Sequence, residues 1–123
     1  MARLSLVRPI SEREAAVVTR MLERCAVKGP LKIRRDSISK LNVVARCDCG
    51  CDTVDFETID WSKPPSIVAD GQGRTQSGDE VGIIIFGSEV SVVCLEIYKH
   101  HPGPGRLPLV DSIEPHGTAT SAF

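Results

Sequence analysis

The stretch from Glu80 to Lys99, EVGIIIFGSEVSVVCLEIYK, constrains the fold more than any other part of the chain. It holds two runs rich in β-branched residues on either side of Gly87–Ser88, the pattern of two strands joined by a tight turn. The first run is apolar at both odd and even positions, so both faces of that strand are expected to be covered. We therefore predict a β-hairpin whose first strand lies in the centre of a sheet.

Residues 9–30 predict one long amphipathic helix. Ser11 and Glu14 have the spacing of a capping box, and Ile10 stands where a hydrophobic staple would begin. Gly29–Pro30 is the expected end of this helix. Apolar residues recur along one stripe at helical spacing, and the last of them, a cysteine, is predicted to be a core residue. The stripe consists of Ala15, Val18, Met21, Leu22 and Cys25.

The rest of the chain reads mainly as strands. A short helix is expected near Asp36, and from Val43 the apolar pattern changes to a period of two. Residues 42–48 and 52–59 predict two strands joined across a turn, and Ile67 begins a weaker, glycine-containing strand. This order predicts an α+β fold, with the N-terminal helix packed on a mostly antiparallel sheet of about five strands. Residues 1–114 would form a single domain, and residues 115–123 a flexible C-terminal tail.

Composition limits the classes of function. The chain has 123 residues, 41% of them hydrophobic, and a formal net charge of −1, which argues against a dedicated nucleic-acid binder. No apolar run approaches the roughly 20 residues of a membrane span, and no export signal opens the sequence. We expect no membrane association and a cytoplasmic location. In a reducing compartment the five cysteines would be free thiols, metal ligands or redox groups.

Three of the cysteines form the main candidate site. Cys47, Cys49 and Cys51 alternate in the segment RCDCGCD, where Gly50 supplies the conformation for a turn. A hairpin turn would bring the three sulfurs together, as a zinc site requires, although the usual C-x-x-C pairs are absent. A fourth ligand would come from one of three residues, which are Cys94, His100 and His101.

Two other interpretations of this turn stay open. The Cys49–Gly50–Cys51 segment could form a strained, labile disulfide that serves thiol exchange. Arg46 is the one base close in sequence, and Asp48 and Asp52 oppose the thiolate that such chemistry needs. In the plainest interpretation the segment is a turn without cofactor. The sequence favours this plain turn, with a zinc site ahead of a redox site.

The charged segments are interpreted as surface. Asp55 and Glu57 share one side of a predicted strand, with Val54 and Phe56 on the other, which is the alternation of a half-buried strand with a solvated acidic face. A basic cluster lies upstream, and solvated or internally paired charges explain it better than a nucleic-acid site. Its members are Lys28, Lys32, Arg34, Arg35 and Lys40.

Short motifs give the chain a resemblance. The segments CDCGCDTVDF, GDEVGIIIF and VVCLEIY, followed by a proline-rich tail, are similar to a group of small uncharacterised bacterial proteins. These proteins have an N-terminal helix, a CGC-type turn and a closing hairpin that ends in an LE-aromatic motif. The resemblance covers roughly residues 8 to 113 and implies this element order and a bacterial origin. It implies no activity and no catalytic residue.

No catalytic motif is assembled in the sequence, so nothing in it argues for an enzyme. We predict a non-catalytic binding domain with a protein partner of unknown identity, and no catalytic or cofactor-binding residue. A sheet edge at Ile67–Ala69 could pair with a strand of that partner. The alternative function is a zinc or thiol-redox site at the cysteine turn.

Overall fold

The computed structural model describes residues 3–117 and 121–123. It contains two α-helices, one 3₁₀-helix and seven strands. In chain order the elements are β1 (Arg3–Pro9), α1 (Glu12–Arg24), α2 (Arg35–Ile38), β2 (Asn42–Cys47), β3 (Val54–Asp55), β4 (Ser66–Arg74), β5 (Glu80–Gly87), β6 (Val92–Tyr98), the 3₁₀-helix (Val110–Ser112) and β7 (Glu114–Pro115).

All seven strands form one antiparallel sheet in the order β1-β2-β3-β6-β5-β4-β7. The predicted α+β class is confirmed, but the prediction of about five strands is wrong. The two strands that were not expected lie at the two ends of the sheet. Such edge strands bury few side chains, so β1 and the two-residue β7 carry little of the apolar alternation that identifies a strand.

The strand pair β5–β6 occupies the centre of the sheet, as predicted. Ile83 and Ile85 are fully buried on the face that α1 covers. Ile84 and Phe86 alternate with them and are half-buried on the opposite face, which we call the open face. Trp61 covers part of the open face, since its ring meets that of Phe86 edge-on with 5.6 Å between centroids. The second face is therefore covered in part, less than the sequence led us to expect.

The start of α1 is the predicted capping box. The Glu14 amide donates to Ser11 Oγ at 3.1 Å, and the Ser11 amide donates to Glu14 Oε1 at 2.9 Å. Arg8 adds a bidentate pair to the Glu14 carboxylate at 2.8 Å. Burial acts to raise the pKa of Glu14, but these hydrogen bonds and the Arg8 charge outweigh it, so the pKa is lowered.

The end of α1 differs from the expectation. The helix stops at Arg24, five residues before Gly29–Pro30. After Arg24 the chain becomes extended because it forms hydrogen bonds with β4. The Val27 amide donates to the Val68 carbonyl at 3.0 Å, and the Asp70 amide donates to the Cys25 carbonyl at 3.0 Å. These sheet bonds replace a further helical turn. Cys25 itself is fully buried, which confirms the prediction for it.

These same hydrogen bonds cover the edge of β4. The prediction of a free edge at Ile67–Ala69 is wrong for Ala69. β5 pairs with one side of this residue, and Ala26 bridges to it on the other side. Near the C-terminus, Pro115 pairs with Gly71. Flexibility of residues 115–123 stays a prediction, and residues 118–120 lie outside the described part of the chain. Ala122 is buried, and its carbonyl accepts from the Leu31 amide at 3.0 Å.

Within the described residues, every helix is too short or too polar to cross a lipid bilayer. The cytoplasmic location stays a prediction.

Candidate functional site

The three candidate cysteines lie where β2 ends and the chain turns back toward β3. The turn forms at Gly50, whose φ of 90° is a left-handed conformation that glycine adopts without strain. The Cys47 amide donates to the Thr53 carbonyl at 3.2 Å and closes the base of the turn. The predicted turn between these two strands is thus confirmed, although β3 is only two residues long.

The turn brings the three sulfurs together. Sγ of Cys47, Cys49 and Cys51 all lie within 4.8 Å of one another. The sulfurs of Cys47 and Cys49 are 2.9 Å apart, and the Cys51 amide donates to Cys49 Sγ at 3.4 Å. Cys47 is buried, Cys51 is half-buried and Cys49 is exposed. The group therefore has one sulfur inside the fold and two that solvent or a ligand can reach.

The fourth ligand expected from the sequence does not join this group. Among the described residues, the three cysteines alone form a cluster with metal-ligand spacing. Cys94 lies on β6 opposite Asp55 and is buried. His100 packs edge-on against Tyr98 with 5.6 Å between ring centroids, and His101 is exposed.

The turn is held in place by the segment before the 3₁₀-helix. The Asp52 amide donates to the Gly105 carbonyl at 2.8 Å, and the Leu107 amide donates to Asp52 Oδ2 at 2.7 Å. Arg106 donates to the Gly50 carbonyl at 2.9 Å and lies 3.4 Å from Asp52 Oδ1. The Asp52 charge, which in the sequence argued against a thiolate, is therefore paired, and these hydrogen bonds hold the turn in one conformation.

Arg3 is a neighbour of the candidate site that the sequence analysis missed. It lies opposite Cys47 in the β1–β2 register, and its Nε donates to Asp55 Oδ2 at 2.9 Å. Burial acts to lower the pKa of Arg3, but the Asp55 charge and hydrogen bond, with smaller contributions from Cys94 and Cys47, raise it overall. Its guanidinium also lies 5.6 Å from the centroid of the Trp61 ring. A cation thus stands beside the buried cysteine of the group.

The prediction of a solvated acidic face is wrong for Asp55. Asp55 is 3% exposed, whereas Glu57, which was predicted to share its face, is exposed as expected. Asp55 is buried because β6 pairs with one side of β3, β2 pairs with the other, and Arg3 lies over its carboxylate. Only the assembled sheet, including β1, creates this environment.

The two remaining cysteines are core residues. Burial raises the pKa of Cys25 to about 11, with smaller effects of nearby charges. Burial, followed by the Asp55 charge, raises the pKa of Cys94 well above its ordinary value. Both thiols stay protonated at neutral pH and are poor nucleophiles. The three cysteines of the turn therefore remain the candidates for metal or redox chemistry.

The basic cluster is exposed and much of it is internally paired, as predicted. Lys32 pairs with Glu89 at 3.0 Å, and Arg34 pairs with Asp36 at 3.1 Å. Arg35 pairs with Glu23. These exposed ion pairs leave little unneutralised positive charge for a phosphate backbone.

Comparison with known proteins adds no assignment. No protein-family model matches the chain, and no curated protein or solved structure matches it significantly. The resemblance to small bacterial proteins stays a prediction, and the function has to be argued from the site itself.

Proposed function

We propose that this chain is a non-catalytic binding domain whose ligand is a soft metal ion held by Cys47, Cys49 and Cys51. The observation that carries the proposal is the convergence of three sulfurs within 4.8 Å at a hydrogen-bonded turn. Zinc is the reference ion because it accepts thiolates at about 2.3 Å in structural and catalytic sites. Thiolates also suit other soft ions, such as Cu(I).

The spacing of the sulfurs fits such an ion. Three thiolates on a tetrahedral ion at about 2.3 Å would stand roughly 3.8 Å apart. The Cys47 and Cys49 sulfurs, now 2.9 Å apart, would need to separate by about 0.9 Å, which small side-chain rotations supply. Arg3 and Arg106 support the proposal further, because they pair with Asp55 and Asp52 and so reduce the negative charge around the three thiolates.

Native mass spectrometry of protein purified without chelator tests the proposal. We expect one bound metal ion per chain that is released by acidification, because thiolates must lose their protons to bind it. Cys49→Ser should abolish retention of the ion. Cys94→Ser is the matched control, since it makes the same chemical change outside the group and should retain the ion.

The same measurement separates the competing hypotheses. A mass lower by two hydrogens, restored by a reductant and without metal, would indicate a disulfide, and the short Cys47–Cys49 distance makes that pair the first to examine. A fully reduced, metal-free mass after incubation with Zn²⁺ or Cu(I) would leave the plain turn as the answer. The second result would refute metal binding, and so would the first if the chain still retains no ion after reduction and incubation with metal.

A protein partner is the second candidate, and the edge strand β1 favours it. Among the described residues no strand pairs with the outer edge of β1, where Val7 is 80% and Leu4 is 41% exposed. An extended segment could add to this edge as a further strand. Capture from a bacterial extract by the native chain, lost in Val7→Lys and kept in the loop variant Val90→Lys, would support this proposal. Equal capture by all three proteins would refute it.

A further inference from the structure

A pocket of about 400 Å³ opens directly beside the cysteine turn. Cys49 and Cys51 form part of its wall, and Pro104 and Gly105 close another side. Its volume lies in the range of small-molecule sites, about 300–1,000 Å³, and far exceeds the ~30 Å³ that one water occupies. The two accessible thiols therefore face a space that can hold an organic molecule.

The geometry of the cysteine group leaves one ligand position for such a molecule. Zinc takes four ligands, and the group supplies three sulfurs. Cys47 is buried on the protein side, whereas Cys49 and Cys51 line the pocket. An ion held by all three would have its open position on the side of Cys49 and Cys51, toward the pocket. A fourth sulfur is one of the ligands that complete a zinc ion with three thiolates, as in four-cysteine sites.

The pocket wall also carries one acidic and one basic side chain. Glu96, on the open face of β6, is half-buried. The Lys99 side chain is 14% exposed and pairs with Asp79 at 3.2 Å. Its Nζ would lie 3.6 Å from a Cβ placed on Gly103, so it reaches across to the loop that closes the pocket. These two side chains suit a ligand that carries an ammonium group for Glu96 and a carboxylate that replaces the exposed Asp79 as the partner of Lys99.

We propose, on the basis of the metal-binding function above, that a small zwitterionic amino-acid thiol with the chemistry of free cysteine binds in this pocket as the fourth ligand. Its sulfur loses a proton to solvent and coordinates the ion. Its ammonium group pairs with Glu96, and its carboxylate takes the place of Asp79 beside Lys99, which leaves the exposed Asp79 to solvent. The chain then acts as a binding protein for a metal–thiol complex.

Cobalt loading tests this inference, because Co²⁺ replaces zinc and its ligand-field spectrum reports the number of sulfur ligands. The Co²⁺-loaded chain is titrated anaerobically with L-cysteine, 2-mercaptoethanol and L-serine. We expect a four-sulfur spectrum with cysteine, and an affinity at least about tenfold above that for mercaptoethanol, which equals ~1.4 kcal/mol. Serine should leave the spectrum unchanged.

Two variants examine the pocket itself. Glu96→Gln and Lys99→Met should each reduce the advantage of cysteine over mercaptoethanol several-fold while the amount of retained Co²⁺ stays the same. Glu89→Gln, an exposed glutamate away from the pocket, is the matched control and should behave as the native chain does.

The experiment separates failure of the proposed metal site from failure of the fourth-ligand inference. A chain that retains no Co²⁺, Zn²⁺ or Cu(I) refutes the proposed metal site. A chain that retains Co²⁺ but shows no spectral change with cysteine overturns the fourth-ligand inference alone. Equal affinity for cysteine and mercaptoethanol overturns the inference as well, because the pocket would then take any thiol without recognising the amino-acid group.

Discussion

Removing one partner of the Arg3–Asp55 pair should destabilise the fold more than removing both. Asp55 has a side chain only 4% exposed, and that of Arg3 is 18% exposed. One Asp55 oxygen, Oδ1, is buried without a hydrogen-bond partner, so the carboxylate already depends on Arg3 for most of its compensation. Arg3→Met would leave this charge buried and unpaired, the situation in which loss of a partner is most costly.

The magnitude follows from the burial. Breaking a fully buried pair costs about 3–5 kcal/mol, and the partial exposure of Arg3 reduces this to roughly 2–3 kcal/mol. For a domain of this size that corresponds to a fall in Tm of about 6–12 °C. Asp55→Val should cost less, about 1 kcal/mol, because the remaining guanidinium can reach water. The double variant should recover much of the loss, because no charge is left buried.

Urea unfolding of the four proteins at pH 7 measures the coupling free energy between the two side chains. Arg34→Met is the matched control, since Arg34 forms an exposed pair with Asp36 and its loss should cost under about 0.5 kcal/mol. The reasoning is refuted if Arg3→Met costs no more than this control, or if the double variant is as unstable as the sum of the two single variants.

Three further outcomes can be measured directly. Glu14→Gln should lower the free energy of unfolding at neutral pH by about 1 kcal/mol. Despite burial, hydrogen bonds and the Arg8 charge hold the pKa of Glu14 below its ordinary 4.5 in the native chain. The carboxylate therefore stabilises the fold above pH 4.5, and this contribution disappears in acid. Gly87→Ala should cost about 2–3 kcal/mol, because the new Cβ would lie 2.2 Å from the Ser91 backbone oxygen. Gly82→Ala should cost about 1 kcal/mol, because there the Cβ meets the ring of Tyr98, a side chain that can rotate away. In peptide mapping after iodoacetamide treatment at pH 8, Cys25, with a pKa of about 11, should react at least about tenfold slower than exposed Cys49.

Local chemistry made part of this fold predictable. The capping box of α1 and the β5–β6 hairpin depend on residues close in sequence, and both were found. The turn at Gly50 was found for the same reason, and it brings the three cysteines together as a hairpin should. Features of this kind need no knowledge of the rest of the molecule.

The missed features depend on partners far away in the chain. In β1, Leu4 and Val7 are both exposed and only Leu6 packs against the core, so the strand shows no alternation that a sequence could reveal. Its place is determined by backbone pairing with β2, about 40 residues away. The burial of Asp55 follows from that pairing, because Arg3 comes with the strand. Because the sequence analysis missed β1, it also missed the burial and pairing of Asp55.

That edge strand also changes the electrostatics of the cysteine turn. From the sequence, Asp48 and Asp52 surrounded the thiols and argued against thiolates. In the structure, Asp52 is paired and Arg3 lies across from Cys47, so a positive charge stands on the buried side of the group and the accessible side opens on a pocket. The Arg3 guanidinium pairs with Asp55 and lies on the strand position opposite Cys47. Metal retention and stability should therefore decline together in Arg3→Met, whereas Asp55→Val should lower stability and leave metal retention intact.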